Sequence, residues 1–126
     1  MDKLTKLPDA EFTVMDVIWE HEPPLTSSQI RELLGGENIW KPQTLFTLLT
    51  RLENRGFLRS EKQGKERTYY AVVSREDYLK FETSSFLYKF HHNSVFSLVT
   101  TLYQDKELDE EESEKLLRWF EEKGGS

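Results

Sequence analysis

The stretch from residue 41 to residue 72, KPQTLFTLLTRLENRGFLRSEKQGKERTYYAV, constrains the fold of this chain more than any other feature. It begins with a lysine and a proline, and proline is tolerated at the first position of a helix because its missing N–H would be unpaired there. The spacing of the leucines that follow places them on one side of a helix, facing a core. They are Leu45, Leu48, Leu49 and Leu52. Gly56 ends this predicted helix, whose opposite side is polar.

Two shorter helices are predicted before this stretch. The first begins near Asp9, a residue that caps helices, and ends before the proline pair at 23–24. The second begins after Thr26 or Ser27, both of which are N-cap residues, and ends at the glycine pair at 35–36. Three short helices joined by tight connections are the helix-turn-helix arrangement.

A β-hairpin is predicted directly after the third helix. Aromatic and β-branched residues in segments 57–60 and 68–73 flank a polar turn that contains Gly64. Strand-forming residues on both sides of a glycine-containing turn favour a hairpin. The sequence therefore predicts a helix-turn-helix followed by a wing.

The positive charge of the chain is concentrated in the same region. The net charge of the whole chain is −6, which repels phosphate at long range. Residues 41–68 nevertheless contain seven basic and three acidic residues, whereas the segments before and after them are acidic or neutral. A basic block on one structural unit is the electrostatic footprint of a nucleic-acid-binding protein.

The polar side of the third helix has glutamine and threonine where a solvated helix normally has glutamate and lysine. Such a side can approach the base edges of the major groove, while the basic hairpin contacts the flanking phosphates. Phe46 lies at the margin of the apolar side, and we assign it to the core rather than to a base contact. The alternative function is a winged-helix module in which the helix and the hairpin bind another protein chain.

After Ser74 the sequence predicts three further helices, the last of them beginning after Asp109. They contain more apolar and aromatic side chains than they can bury against each other, and a segment of this size forms only a marginal core by itself. We therefore expect self-association. The residues predicted to form the interface are Phe86, Phe90, Val95, Leu98, Val99, Leu102, Leu116, Leu117 and Phe120. A small-molecule-responsive repressor, with the aromatic side chains of residues 78–103 lining a pocket, is a further alternative.

Composition argues against other classes of protein. The chain has no cysteine, which excludes a disulfide framework and thiolate metal sites and favours a reducing compartment. Its apolar runs are far shorter than the roughly 20 residues that cross a bilayer, and its start lacks the apolar core of a signal peptide, so we expect a cytoplasmic protein without a membrane partner. The three histidines are poorly spaced for chelation. We predict no catalytic residue, no metal and no cofactor.

The order of these elements, and several strings in the sequence, resemble the BlaI/MecI-type repressors of penicillinase and methicillin-resistance genes. The strings are LPDAEFTVMDVIWE, WKPQTLFTLLTRLENRGFL, GKERTYYAVVSREDY and SFLYKF. The resemblance extends from about Leu7 to about Glu122. It implies a mainly α fold with a small β-hairpin, in which a winged helix-turn-helix DNA-binding domain (residues 1–74) precedes a helical dimerisation domain (residues 75–126).

The same resemblance implies a homodimeric transcriptional repressor that binds a pseudo-palindromic operator of a β-lactamase-type or related antibiotic-resistance operon. Carried onto this sequence, the residues that contact double-stranded DNA are Lys41, Gln43, Thr44, Thr47 and Arg51, with wing contacts at Lys62, Lys65 and Arg67. Many relatives are inactivated by a sensor-linked protease that cuts the dimerisation region. The bond at the equivalent position here joins Thr101 to Leu102.

Three features differ from the family pattern. The serine that commonly precedes the helix proline, and the lysine that follows it, are Lys41 and Gln43 here, so the N-cap is lost and the base-reading side chain differs. The cleaved bond of the penicillinase repressors joins asparagine to phenylalanine rather than threonine to leucine. Copper-responsive relatives use C-terminal cysteines, and this chain has none.

Overall fold

The computed structural model of the chain describes residues 4–36 and 38–124. The predicted domains begin at residue 1 and end at residue 126, so their first and last residues lie outside the described part. The predicted mainly α fold with a small hairpin is confirmed. The elements in chain order are α1 (Asp9–Trp19), β1 (Leu25–Thr26), α2 (Ser27–Leu33), α3 (Pro42–Asn54), β2 (Leu58–Gln63), β3 (Glu66–Ala71), α4 (Arg75–His91), α5 (Val95–Gln104) and α6 (Glu110–Gly124). The chain divides into two compact units, the first ending at Glu82 and the second beginning at Thr83.

The first two helices begin differently. Asp9, predicted as a cap, is instead the first residue of α1, and Pro8 at the N-cap position makes no side-chain hydrogen bond. At the start of α2, the side chain of Thr26 accepts a hydrogen bond from the backbone N–H of Gln29, and the Gln29 side chain accepts one from the backbone N–H of Thr26. This capping box satisfies two backbone donors that a helix start otherwise leaves unpaired.

The core of the first unit lies between α1, α2, α3 and the sheet. α1 buries residues 11, 14, 15 and 18, which have the helical spacing of a single stripe. The four leucines of α3 predicted to face the core are buried. Further buried apolar residues are Leu7, Leu25, Ile30, Phe57, Leu58, Tyr69 and Tyr78.

The hairpin predicted after α3 is confirmed, and it belongs to a three-stranded antiparallel sheet with the order β1-β3-β2. β1 has only two residues and was not predicted. In this sheet Leu25 pairs with Tyr69 and Thr26 pairs with Thr68. Because Thr26 is also the N-cap of α2, it connects the wing directly to the second helix of the helix-turn-helix.

The first unit continues past residue 74, where the predicted domain boundary lies, into the first part of α4. The reason is Tyr78, which is buried and lies within 6.0 Å, between ring centroids, of the rings of Phe12, Trp19, Phe57 and Phe81. Its hydroxyl accepts a hydrogen bond from the backbone N–H of Leu7 at 2.8 Å and donates one to Glu82 at 2.6 Å. One side chain thus connects α4 to α1 and to the segment before it.

From this environment of Tyr78 we predict that the folded protein loses stability at alkaline pH. Burial, with a contribution from the hydrogen bond to Glu82, raises the pKa of Tyr78 from 10.0 to about 12. Below pH 10 the phenol keeps its proton in the folded and the unfolded chain. Between pH 10 and pH 12 the unfolded chain releases it more readily than the folded chain, so the free energy of unfolding should fall by up to about 1.4 kcal/mol per pH unit, or roughly 2 kcal/mol by pH 12.

Urea unfolding between pH 9 and pH 12 measures this loss, with Tyr78→Phe as the comparison because that variant has no proton to release. Burial also raises the pKa of Tyr69, but that contribution is common to both proteins and cancels in the difference. An identical pH dependence of the two proteins would contradict the assignment to Tyr78.

The second unit contains the rest of α4 together with α5 and α6. Ser94 caps α5 by accepting a hydrogen bond from the Ser97 N–H, and Asp109 caps α6, as predicted, by accepting one from the Glu112 N–H. Of the described residues in 83–124, not one side chain is buried. This unit therefore has well-defined helices but no core of its own.

Candidate nucleic-acid interface

α3 is fixed to the rest of the first unit at its C-terminal end. Gly56 adopts φ +83°, and the N–H groups of Gly56 and Phe57 bond to the carbonyls of Glu53 and Leu52, which is the Schellman motif. This motif sets the direction in which the chain leaves α3 to form the wing. Arg55, the C-cap residue, donates a hydrogen bond from Nε to the buried Glu11 of α1 at 2.6 Å.

The outer side of α3 is exposed over its whole length. The residues predicted to contact DNA on this helix are all exposed: Lys41, Gln43, Thr44, Thr47 and Arg51. Lys41 is the N-cap residue, and its side chain makes no capping bond, as the loss of the family serine implies. The Thr47 hydroxyl donates a hydrogen bond to the Gln43 carbonyl at 3.1 Å.

The assignment of Phe46 to the core is wrong. Its side chain is 59% exposed, because it projects from the side of α3 next to Gln43 and Thr47 rather than from the leucine stripe. Thr50 is exposed on the same side. A helical wheel would have shown that Phe46 lies about 100° from Leu45, but the sequence does not indicate how wide the buried stripe is.

The wing presents the other predicted contacts. Lys62 lies on β2, Lys65 in the turn and Arg67 on β3, and all three are exposed. The register places Lys62 directly opposite Arg67. Like charges directly opposite each other destabilise a sheet unless an anion lies between or near them. The tip of the wing is therefore suited to a phosphate.

The acidic residues of the wing are already engaged by neighbours. Glu61 forms an ion pair with Arg59 at 2.8 Å, and the Arg59 guanidinium lies 4.0 Å above the centre of the Tyr70 ring. Glu66 accepts a hydrogen bond from the hydroxyl of Ser28 in the first turn of α2, at 2.8 Å. This bond, which the sequence did not predict, joins the tip of the wing to the helix-turn-helix.

The basic residues between 41 and 75 divide into two groups. Arg55, Arg59 and Arg75 each form an ion pair with a carboxylate. The five predicted to contact DNA, Lys41, Arg51, Lys62, Lys65 and Arg67, form no ion pair within residues 4–36 and 38–124. Within residues 41–75, the positive charge that has no ion-pair partner thus lies on the outer side of α3 and on the wing.

The residues predicted to form the interface between protomers lie on three helices of the second unit. Phe86 and Phe90 are on α4, with ring centroids 5.0 Å apart, and the others are on α5 and α6. All nine are exposed or half-buried: Phe86, Phe90, Val95, Leu98, Val99, Leu102, Leu116, Leu117 and Phe120. The bond between Thr101 and Leu102 lies inside α5, where both side chains are exposed.

Neither a metal centre nor a membrane-spanning helix is found among the described residues. In the described part of the chain no group of three or more histidine or acidic side chains is arranged to hold a metal ion. No helix there is both long enough and apolar enough to pass through a bilayer.

The three packed helices and the wing define a winged helix-turn-helix protein of the DNA-binding class. The family model described as penicillinase repressor matches residues 7–122. The chain belongs to the penicillinase repressor family, whose members are transcriptional repressors and not enzymes.

Two relatives match almost the whole chain. The penicillinase repressor of Bacillus licheniformis is 34% identical over 122 residues, which are 97% of this chain and 94% of that protein. The methicillin resistance regulatory protein MecI of Staphylococcus aureus (strain N315) is 32% identical over 116 residues, with 91% and 93% covered.

Two solved structures are similar to the first part of the chain. The solution structure of the DNA binding domain of the repressor BlaI has a TM-score of 0.53 and 33% sequence identity, and covers 62% of this chain and 94% of that chain. The solution structure of the Bacillus licheniformis BlaI monomeric form in complex with the blaP half-operator has a TM-score of 0.50 at the same identity and coverage.

Proposed function

We propose that this protein is a transcriptional repressor that binds a pseudo-palindromic DNA operator as a homodimer, and that the operator controls a β-lactamase-type or related antibiotic-resistance operon. The observation on which the proposal depends most is that the basic residues of 41–75 without an ion pair all lie on the outer side of α3 and on the wing. A BlaI protein with the same fold in its DNA-binding domain has been solved on a half-operator. Such a repressor acts on chromosomal or plasmid DNA, and we place it in the cytoplasm.

The chemistry of α3 and of the wing suits them to different contacts with DNA. Glutamine and threonine side chains on α3 offer short polar groups and methyl groups to base edges in the major groove. Arg51 and the cations of the wing neutralise phosphates on either side, which fixes the register of the protein on the duplex. An acidic protein can bind DNA in this way because the potential at the contact surface matters more than the net charge.

The second unit is the proposed dimerisation region, since apolar side chains on all three of its helices are exposed and none of its described residues is buried. A two-fold dimer would present two recognition helices to successive major-groove faces about 34 Å apart. The Thr101–Leu102 bond is a candidate for cleavage by a sensor-linked protease. Because the bond is helical, α5 would have to open locally before a protease could act on it.

Charge reversal at Arg51 and Arg67 tests the proposed interface. The operator is first selected from a random duplex pool, and its affinity is measured by fluorescence anisotropy from 50 to 300 mM salt. Arg51→Glu with Arg67→Glu should weaken binding by at least a hundredfold and should reduce the slope of log K against log salt by about 0.9 for each lost phosphate contact, counted twice in a dimer.

Lys6→Glu is the matched control, because Lys6 is also exposed but precedes Leu7, whose backbone N–H contacts Tyr78 of α4 rather than the wing. The control should bind as the unmodified protein does. Unchanged affinity of the doubly reversed variant, or selection of no symmetric sequence from the pool, would refute the proposal.

A further inference from the structure

The exposed ring of Phe46 is not explained by the fold. The leucines of α3 on either side of it in the sequence are at most 6% exposed, whereas Phe46 is 59% exposed. Leaving an aromatic ring in water forgoes the free energy that its burial would supply. A large apolar side chain at this place on the outer side of a recognition helix is available to contact whatever the helix binds.

The position of Phe46 on α3 indicates what that contact is. Gln43, Phe46, Thr47 and Thr50 follow the spacing i, i+3, i+4, i+7, so they form one stripe, and all four are exposed. The stripe lies opposite the buried leucines. Recognition helices of homeodomains use residues of the same spacing to contact the major groove. Phe46 thus lies halfway along this stripe, beside Gln43 and Thr47 of the proposed contact surface.

The neighbour of Phe46 makes the centre of this stripe apolar. The hydroxyl of Thr47 donates its hydrogen to the Gln43 carbonyl, which leaves the methyl group as the outward apolar part of that side chain. The ring of Phe46 and the methyl of Thr47 are thus consecutive apolar groups of the stripe. Gln43 and Thr50 remain as the polar ends of the stripe.

An apolar surface distinguishes base pairs in one way only. Among the groups that the four base pairs present in the major groove, the C5-methyl of thymine is the apolar one. A phenyl ring over any other base edge would cover donors and acceptors without bonding to them, which is costly. The favoured contact for the ring is therefore a thymine.

The surroundings of the ring leave room for a base edge. Phe46 forms one wall of a surface groove of about 390 Å³ between α2 and α3. Ser27 and Arg31 of α2 line this groove too, as do Pro42 and Gln43 of α3. These side chains suit the parts of a nucleotide. Arg31 and Ser27 can bind a phosphate, and the ring of Phe46 can contact an apolar group on a base edge.

We propose that Phe46, together with the Thr47 methyl, is a specificity-determining contact to the C5-methyl of a thymine in each half of the operator. This inference rests on the proposed function and adds one defined base preference to it. The winged fold and phosphate binding by the cations would both be possible without this base preference.

The test replaces each thymine of the selected operator, one at a time, by deoxyuridine, which lacks only the C5-methyl. One thymine position in the half-site should show an effect. Replacing it in one half-site should weaken binding by the unmodified protein about fourfold, and replacing it in both half-sites about fifteenfold, as expected for one buried methyl group per half-site. Phe46→Ala should bind the thymine operator less tightly and should bind the thymine and uracil forms of that position equally.

Leu79→Ala is the matched control, because Leu79 is a comparably exposed apolar residue of the same unit, at 57%, and lies on α4. This variant should keep the full preference for thymine. The inference is overturned if the unmodified protein shows no thymine position with a preference, or if Phe46→Ala keeps the preference. Salt-dependent binding to DNA without a thymine preference would refute this inference but not the proposed function. Absence of binding to any duplex would refute both.

Discussion

Replacing both Leu98 and Leu102 with aspartate is expected to leave the protein monomeric and to weaken its binding to a full operator by at least about a hundredfold. The two leucines lie one helical turn apart on the same side of α5 and are exposed or half-buried in the single chain. In the proposed dimer each would be buried against the second protomer. Two carboxylates in an apolar interface cannot be paired, and their desolvation opposes association.

The loss of affinity follows from losing the connection between two half-sites. Binding of the second winged unit is intramolecular in a dimer and bimolecular in a monomer. The variant should therefore bind an isolated half-operator as well as the unmodified protein does, since its first unit is unchanged. Sedimentation equilibrium gives the mass of the variant, and anisotropy titrations with full and half operators give the two affinities.

Gln104→Asp is the control for this experiment. It adds a charge to the same helix on the side opposite Leu98 and Leu102, so the dimer should persist. A double variant that sediments as a single chain but binds the full operator with unchanged affinity would refute the dimeric mechanism.

The second large effect is expected at the ion pair between Glu11 and Arg55. Glu11 is 2% exposed and the Arg55 side chain is 34% exposed, so removing the arginine leaves a carboxylate buried without a partner. Arg55→Met should lower the free energy of unfolding by about 3 kcal/mol, the low end of the range for a broken buried pair because Arg55 is partly solvated. Glu11→Gln, which keeps a hydrogen-bond acceptor and leaves the partly exposed arginine, should cost about 1 kcal/mol.

The pair between Arg75 and Asp16 provides a control with the same geometry and less burial. Its N–O distance is also 2.6 Å, but its side chains are 53% and 39% exposed, so Arg75→Met should cost less than about 1 kcal/mol. Urea unfolding of the three variants at one protein concentration gives the comparison. Equal losses for Arg55→Met and Arg75→Met would mean that burial of Glu11 does not determine the effect.

Most of the fold could be predicted because its signals are local. The leucine spacing, the helix-starting proline and Gly56 define α3, and the glycine-containing turn defines the hairpin. β1 could not be predicted, since two residues are too few to show an alternating pattern and their pairing with β3 involves a partner more than forty residues away.

The arrangement of charges could be predicted only in part. Sequence composition located the basic segment, but which cations are neutralised depends on contacts between distant residues, such as the one between Glu11 and Arg55. In the sequence, Glu11 is not distinguishable from any other acidic residue in the first turn of a helix, whereas in the structure it is buried. The extent of the first unit likewise depends on the bond between Leu7 and Tyr78, which are 71 positions apart.

The absence of a buried side chain among the described residues of 83–124 affects how repression depends on the concentration of the protein. In the proposed dimer this part of the chain gains its core only when two copies meet, so folding of that part and pairing are one equilibrium. At concentrations below the dissociation constant, the amount of paired protein rises with the square of the amount of chain. A twofold fall in repressor level would then reduce the paired species about fourfold, and transcription would respond more steeply than the supply of the protein itself.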